Sequence, residues 1–220
     1  MQKPRYITVK EFLVDSPEHE PKGIFLLAHG AGKGMSSPFM NSIAKGIVAA
    51  GVRVVRFHFP YMEDTLRTGM ETPTNQRKVL KHCFSEVIMH CIEHEKCPSK
   101  YIIIGGKTMG ARIASMVADE HKVAGVICLG YPFHPLKKPK HFRIKHLKSI
   151  ETPTLICQGE NDPFGRREEV QQRILSKSIK FHWLEKCDNN FKPGKLSHRT
   201  QDENIEDIIH ACNGFINHLL

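Results

Sequence analysis

The sequence predicts an α/β protein in which helices cover both faces of a mostly parallel central sheet. Short runs that are apolar throughout alternate with longer segments of helical periodicity along the 220 residues. Strands that are apolar on both faces are typical of buried parallel sheets. Glycine and proline separate the runs, as expected where strands and helices end. We therefore expect a three-layer α/β architecture, formed by one domain over residues 1–220.

Composition narrows the class of protein further. The chain is 40% hydrophobic and 25% charged, which excludes a disordered or fibrous protein. No apolar run approaches the roughly 18 residues of a membrane span, and the N-terminus lacks the apolar block of a secretory signal. The seven cysteines occur singly, as is typical of reduced, buried thiols. We therefore expect a cytoplasmic protein without a membrane partner.

The first half of the chain supplies four of the predicted strands and two of the helices. We expect strands at 6–14, 23–28, 52–57 and 101–105, and helices at 38–50 and 74–96. Residues 6–14 alternate between apolar and polar side chains, which favours an edge strand.

The second half continues the alternation. We expect strands at 123–129, 153–157 and 179–184, and helices at 109–120, 166–177 and 203–219. The last helix has a single apolar stripe. Its members are Ile205, Ile208, Ile209, Cys212, Phe215, Ile216 and Leu219. In a sheet of this kind a ligand binds at the carboxyl ends of the strands.

The most informative segment is Gly106-Lys107-Thr108-Met109-Gly110, which joins a predicted strand to a predicted helix. This is the setting of the G-x-S-x-G motif, in which a sharp turn raises the central hydroxyl above the sheet. Gly106 and Gly110 flank a turn that is too tight for larger side chains. Such a turn holds its central residue at positive φ, which strains β-branched Thr108 by about 1–3 kcal/mol. The alternative is a glycine-rich turn without chemistry.

Two backbone N–H groups are candidates for stabilising a developing oxyanion. One belongs to Met109, at the start of the predicted helix. The other belongs to Ala31, in the His29-Gly30-Ala31-Gly32 loop that follows the second predicted strand. His29 is either catalytic or a buried, hydrogen-bonded residue that shapes this loop, and we favour the second interpretation.

Asp162 is the candidate acid. It lies in the polar segment 158–165, after the strand at 153–157. That position agrees with the chain order of nucleophile, acid and histidine that accompanies the G-x-S-x-G motif. The alternative is a turn residue that precedes Pro163.

Together, five segments resemble a family of small bacterial α/β-hydrolase-like proteins, similar to dienelactone hydrolase. The family is related to the NSL-complex subunit three and testis-expressed thirty domains. The segments are 28–32, 106–112, 129–135, 158–165 and 188–193. They occur in the family's order and span nearly the whole chain. The resemblance implies the α/β-hydrolase fold and serine-hydrolase-type cleavage of an ester or acyl bond. It does not specify a substrate.

The sequence departs from the family pattern at two positions. Family members usually carry serine where this chain has Thr108, and histidine, in an Asp-His-x-Phe segment, where it has Asn189. Threonine keeps a hydroxyl. Asparagine cannot accept and return a proton near neutral pH, and loss of a general base typically costs about 10²–10⁴-fold in rate.

Two histidines outside that pattern are also candidates. His198 follows Asn189 in the segment 192–198, and it could supply the missing base if this segment brings it to Thr108. A surface histidine is the alternative that we favour. His134, in the segment 129–135, is expected near the pocket without a triad role.

Two further patterns favour structural interpretations. His90 and His94 on one predicted helix and Cys97 at its end are close enough to share a metal, but no second motif completes the ligand set, so we expect no metal. The net charge of +9 includes a basic stretch at 137–148. That stretch could attract anions or nucleic acid, but no nucleic-acid-binding module is recognisable, so we expect a solvated loop.

Two hypotheses follow. The first is a hydrolase acting on an ester or acyl bond of a small molecule, with Thr108 as nucleophile, Asp162 as orienting acid and no cofactor. The second is a catalytically silent hydrolase fold that binds a ligand or a protein, and Asn189 favours it. Neither hypothesis includes a nucleic-acid partner, and no oligomeric state follows from the sequence.

Overall fold

A seven-stranded sheet forms the centre of the molecule in a computed structural model that describes residues 11–195 and 197–220. The strands are β1 Phe12–Asp15, β2 Ile24–Ala28, β3 Arg53–Phe57, β4 Ile102–Lys107, β5 Gly125–Leu129, β6 Thr154–Gly159 and β7 Ile179–Leu184. Their spatial order is β1-β3-β2-β4-β5-β6-β7. All neighbours pair in parallel except β1, which runs antiparallel to β3 at the edge.

Helices cover both faces of this sheet. They are α1 Pro38–Val48, α2 Pro60–Thr68, α3 Arg77–Glu93, α4 Met109–His121, α5 Arg167–Gln171 and α6 Gln201–Leu219. On one face α1 packs against α6, and on the other α3 packs against α4. Every residue of β2, β4, β5 and β6 is buried as a result. The predicted three-layer α/β architecture is confirmed.

The final helix shows how local sequence and packing agree. Ile208, Cys212 and Ile216 are fully buried, and the other members of the predicted stripe pack against the same core layer. The helix begins at Gln201 because Thr200 and Glu203 form a reciprocal capping box. Because of this cap, the helix starts two residues before residue 203, where the sequence predicted its start.

Three elements differ from the prediction. Helix α2 was not expected, and the helix expected at 74–96 covers only Arg77–Glu93. The helix expected at 166–177 is the five-residue α5, because the chain after it turns and Ser176 N–H donates to Leu147 O at 2.9 Å. Of the strand expected at 6–14, residues 6–10 lie outside the described part. Residues 12–14 fall within the edge strand β1.

The cysteines are all free thiols, and six of the seven are buried. Burial raises the pKa of Cys83, Cys91 and Cys187 to about 12, so these thiols stay protonated. Within the described residues, no helix combines the length and apolarity that crossing a bilayer requires.

Candidate active site

A cavity of about 430 Å³ opens where β2 and β4 end. Its lining comes from the loop after β2, the start of α1, the turn that ends β4, the loop between β6 and α5, the loop after β7 and the start of α6. The lining residues are Gly30, Ala31, Gly32, Lys33, Ser37, Phe39, Met40, Lys107, Thr108, Phe164, Asn189, Asn190 and Gln201. The carboxyl end of a parallel sheet is where such folds bind ligands.

Thr108 lies at a sharp turn between β4 and α4. Its backbone has φ 47° and ψ −97°, and its N–H group donates to Leu129 O on β5 at 3.0 Å. A side chain at either Gly106 or Gly110 would collide with the carbonyl oxygen of Ala28. The turn is therefore pressed against the end of β2, which leaves the Thr108 side chain half-buried and facing the cavity.

A chain of hydrogen bonds leads from Thr108 into the protein. Thr108 Oγ1 donates to Asn189 Oδ1 at 3.0 Å, and Asn189 Nδ2 donates to Asp162 Oδ2 at 2.8 Å. Asn189 Nδ2 also lies 3.3 Å from Gly130 O. Because the amide nitrogen faces a carboxylate and a carbonyl, only one orientation of the amide fits. The structure thus brings together three residues that the sequence motifs had singled out.

Asp162 ends this chain of hydrogen bonds and is fully buried. Its Oδ1 accepts from Phe164 N–H at 2.8 Å, and its Oδ2 also accepts from Gln158 Nε2 at 2.8 Å. Burial raises its pKa to about 6, although the hydrogen bonds from Asn189 and Phe164 oppose the rise. The carboxyl group is therefore mainly ionised at neutral pH. Gln158, which sequence motifs did not single out, holds it in place.

Lys107 is the unexpected member of the site. Its Nζ donates to both the side-chain and backbone oxygens of Asn189, the former at 2.9 Å, and lies 3.1 Å from Thr108 Oγ1. The rings of Phe191 and Phe39 flank it at 5.0 and 5.7 Å from their centroids. Burial lowers its pKa to about 8, against the raising effect of Asp162 and Asp188.

Lys107 belongs to the turn segment that the sequence singled out, and it lines the cavity, but its contacts with Asn189 were not predicted. Those contacts join residues 82 positions apart, which no local motif reveals. One signal was available, because Lys107 is a cation at the end of an otherwise apolar, buried strand.

His29 shapes the loop after β2. It is fully buried, its Nδ1 donates to Gly30 O at 2.7 Å, and its Nε2 accepts from Phe59 N–H at 3.1 Å. Burial lowers its pKa to about 4, so the ring is neutral near pH 7. These contacts agree with the interpretation that His29 holds the loop and with its absence from the cavity lining.

The two candidate oxyanion donors belong to Ala31 and Met109. Ala31 lines the cavity in this loop, and its carbonyl accepts from the Tyr61 hydroxyl at 3.0 Å. Met109 is the first residue of α4, and an α-helix leaves the N–H groups of its first turn without an internal acceptor. The α4 N-terminus also carries a partial positive charge.

The two histidines considered as extra candidates are both absent from the cavity lining. His198 is exposed before α6, and no hydrogen bond among the described residues joins it to Thr108 or Asn189. His134 is buried beside the cavity without lining it, since its backbone N–H group donates to O of the lining residue Phe164 at 3.0 Å. Its Nδ1 donates to Pro135 O at 3.1 Å and its Nε2 lies 3.4 Å from Glu169 Oε2, so the ring turns away.

Comparisons with known proteins agree with the geometry. Residues 21–217 match the family described as "Alpha/beta hydrolase domain". An α/β serine hydrolase homologue from Coxiella burnetii has TM-score 0.69 and 20% identity, with 91% of this chain and 90% of that one covered. Dienelactone hydrolase from Anabaena variabilis has TM-score 0.71 and 19% identity, with coverage of 96% and 94%. An esterase domain from Rhodothermus marinus has TM-score 0.65 and 14% identity, with coverage of 93% and 91%. At these identities the likeness shows a shared fold.

Proposed function

This chain belongs to the α/β-hydrolase domain family, and from that premise we propose that it hydrolyses an ester or related acyl bond of a small molecule in the cytoplasm. The observation that carries the proposal is the Thr108 hydroxyl, held by a strained turn at the cavity and hydrogen-bonded to Asn189. Strain of this kind persists only where the surrounding structure enforces it, and it is concentrated at functional sites.

Each group of the site has a role in this reaction. Thr108 Oγ1 attacks the acyl carbon, and the N–H groups of Ala31 and Met109 stabilise the oxyanion. Asp162 orients Asn189 through their hydrogen bond. Phe39, Met40 and Phe164 supply an apolar wall for the acyl group.

We also propose a closer relationship to particular members of the α/β-hydrolase family. The protein from Anabaena variabilis that shares this fold is named a dienelactone hydrolase, and we propose the same class of acyl-bond hydrolysis for this chain. The further relationship to the NSL-complex subunit three and testis-expressed thirty domains rests on the five sequence segments alone.

A second candidate function is favoured by one residue. Asn189 receives the hydrogen bond of the Thr108 hydroxyl, and an amide cannot take up its proton near neutral pH. If no other group does so, the same cavity serves a catalytically silent protein that binds a ligand or a partner protein.

A fluorophosphonate probe distinguishes these functions. The enzyme is expected to become labelled on Thr108, and Thr108→Ala is expected to lose both labelling and turnover of short p-nitrophenyl esters. Thr68→Ala, which removes an exposed hydroxyl on α2, should retain both. Absence of labelling in the native chain, with gained turnover in Thr108→Ser/Asn189→His, would support the silent protein. An inert double variant would show that the cavity is not hydrolytic.

A further inference from the structure

We propose that Lys107 is the general base of this site and takes the proton of Thr108 in place of the histidine that the chain lacks. The inference rests on the hydrolytic function proposed above. It follows from the position of Lys107 Nζ, 3.1 Å from Thr108 Oγ1 and 2.9 Å from Asn189 Oδ1. Both distances are within hydrogen-bond range.

The hydrogen bonds around Lys107 remain satisfied in both of its protonation states. The ammonium form has three donors, and three oxygens face it: two of Asn189 and one of Thr108. The neutral amine keeps two donors for Asn189, and its lone pair accepts the Thr108 hydroxyl proton. Losing or gaining a proton therefore leaves no buried polar group without a partner, as a proton-transferring base requires.

Asn189 has a matching role as a positioning residue. Its amide nitrogen is held by Asp162 at 2.8 Å, which directs the amide oxygen toward Lys107. A side chain that donates at one end and accepts at the other is sufficient here once the lysine supplies the base. Asn189, in place of the histidine of related proteins, thus leaves a hydrogen-bond network in which each of these side chains has a partner.

The electrostatic surroundings favour a lysine that can lose its proton. The ionisable groups that act on Lys107 are Asp162, after β6, and Asp188 and Cys187, after β7. The two carboxylates favour the ammonium form, but burial of the lysine opposes it more strongly. With a pKa of about 8, roughly a tenth of the molecules carry neutral Lys107 at pH 7, against well under a thousandth for an exposed lysine.

The reaction balances with these groups and water. The Thr108 proton moves to Lys107 Nζ as Oγ1 bonds to the acyl carbon, and the carbonyl electron pair moves onto oxygen. When this pair returns, the alkoxide leaves with the proton from Lys107. Water then gives a proton to Lys107, and the oxygen of that water attacks the acyl carbon. Collapse releases the acid, and Thr108 Oγ1 recovers its proton.

The test measures fluorophosphonate labelling of Thr108 and ester turnover from pH 6 to 10. In the native chain both rates should rise with pH, with a midpoint between those of ordinary histidine and lysine. Lys107→Met should lower them by about 10²-fold or more. Lys45→Met, which changes an exposed lysine on α1, should leave them unchanged.

Two further variants separate catalysis from folding. Methylamine should restore labelling and ester turnover to Lys107→Ala. Lys107 lines the cavity, so a small amine can enter the space left by its side chain. Asn189→His should move the midpoint toward the histidine range, near pH 6.5. A merely structural Lys107 would show no rescue by methylamine and no midpoint between those of ordinary histidine and lysine in the native chain.

The outcomes separate the two proposals. Labelling and turnover that depend on Thr108 but survive Lys107→Met would overturn the role of Lys107 and leave the hydrolytic function standing. A folded Lys107→Ala that methylamine fails to restore would also overturn that role. If the native chain is neither labelled nor active at any pH, the hydrolytic function fails and the role of Lys107 fails with it.

Discussion

The backbone of Thr108 is held in a conformation that a β-branched residue disfavours. A non-glycine residue at positive φ is uncommon, and a branched Cβ makes it more so, at a cost of about 1–3 kcal/mol. Its hydroxyl has both a partner in Asn189 and a cation at 3.1 Å in Lys107. Those contacts and the flanking glycines hold the hydroxyl oxygen at the cavity despite the disfavoured backbone conformation.

His29 makes stability depend on pH. Its folded-state pKa of about 4 lies below the ordinary 6.5, so between these values the unfolded chain binds a proton that the folded protein excludes. The free energy of unfolding should therefore decrease by up to about 3 kcal/mol as the pH falls from 6.5 to 4. His29→Gln keeps a donor and an acceptor without titrating. Urea unfolding should therefore show a smaller dependence of its free energy of unfolding on pH between 4 and 6.5.

The comparison with His29→Gln is needed because other groups titrate in the same range. His146 has a pKa lowered to about 4 and adds a slope of the same sign. Asp162 has a raised pKa of about 6, so it binds its proton first in the folded state and acts in the opposite sense. His141→Gln, at an exposed site, serves as control. Equal pH slopes in the native chain and His29→Gln would contradict the prediction.

At this scale the sequence predicts residues that belong to motifs and misses those that depend on distant contacts. Thr108, Asp162 and Asn189 follow from a turn motif, a chain order and a resemblance, and the structure joins them by hydrogen bonds. The contacts of Lys107 with Asn189 were not predictable, because they require the loop after β7 to reach across two strands to the end of β4. The contact of the His134 ring with Glu169, 35 positions away, was not predictable either.

At the scale of elements, the junction of β4 and α4 depends on how closely three backbone segments approach. A Cβ at Gly106 would meet the backbone of Ala28, Gly110 and Ala111, and none of these can move as a flexible side chain can. Gly106 is therefore required by space rather than by an unusual dihedral angle.

Gly106→Ala should consequently destabilise the protein by about 1–3 kcal/mol and reduce labelling of Thr108, because the turn must shift. Gly214→Ala is the matched control. A Cβ at this exposed position within α6 meets nothing within 4 Å, so alanine should stabilise the protein by about 1 kcal/mol. Urea unfolding measures the change in the free energy of unfolding for both variants. A Gly106→Ala variant as stable as the native chain would refute the steric argument.

The helices that differed from the prediction have little apolar periodicity of their own. Helix α2 buries only Tyr61 and Met62, although Pro60 at its start and Gly69 at its end are recognisable helix boundaries. Helix α5 buries only Val170. Apolar runs predicted the strands and the long helices well, because there burial and periodicity coincide.

At the scale of the whole molecule, the sheet separates two apolar layers. Ile88 on α3 belongs to one layer and Ile208 on α6 to the other, and both are fully buried. Substitutions that share no neighbours usually have additive effects.

Ile88→Ala and Ile208→Ala should each lower the free energy of unfolding by about 2–5 kcal/mol through lost burial and a residual cavity. Their sum should describe the double variant to within about 0.5 kcal/mol. Ile174→Ala, at a side chain that is 85% exposed, should change little. Denaturant titration measures all four variants, and strong non-additivity would mean that the sheet couples the two layers.

The burial of six thiols has a practical consequence for anyone who handles this protein. While the chain is folded, these sulfurs are shielded from air and alkylating reagents. Once it unfolds, seven reactive groups of near-ordinary acidity are exposed together and can cross-link at random. Heating without a reductant would therefore trap misfolded species, and reversible measurements call for dithiothreitol throughout.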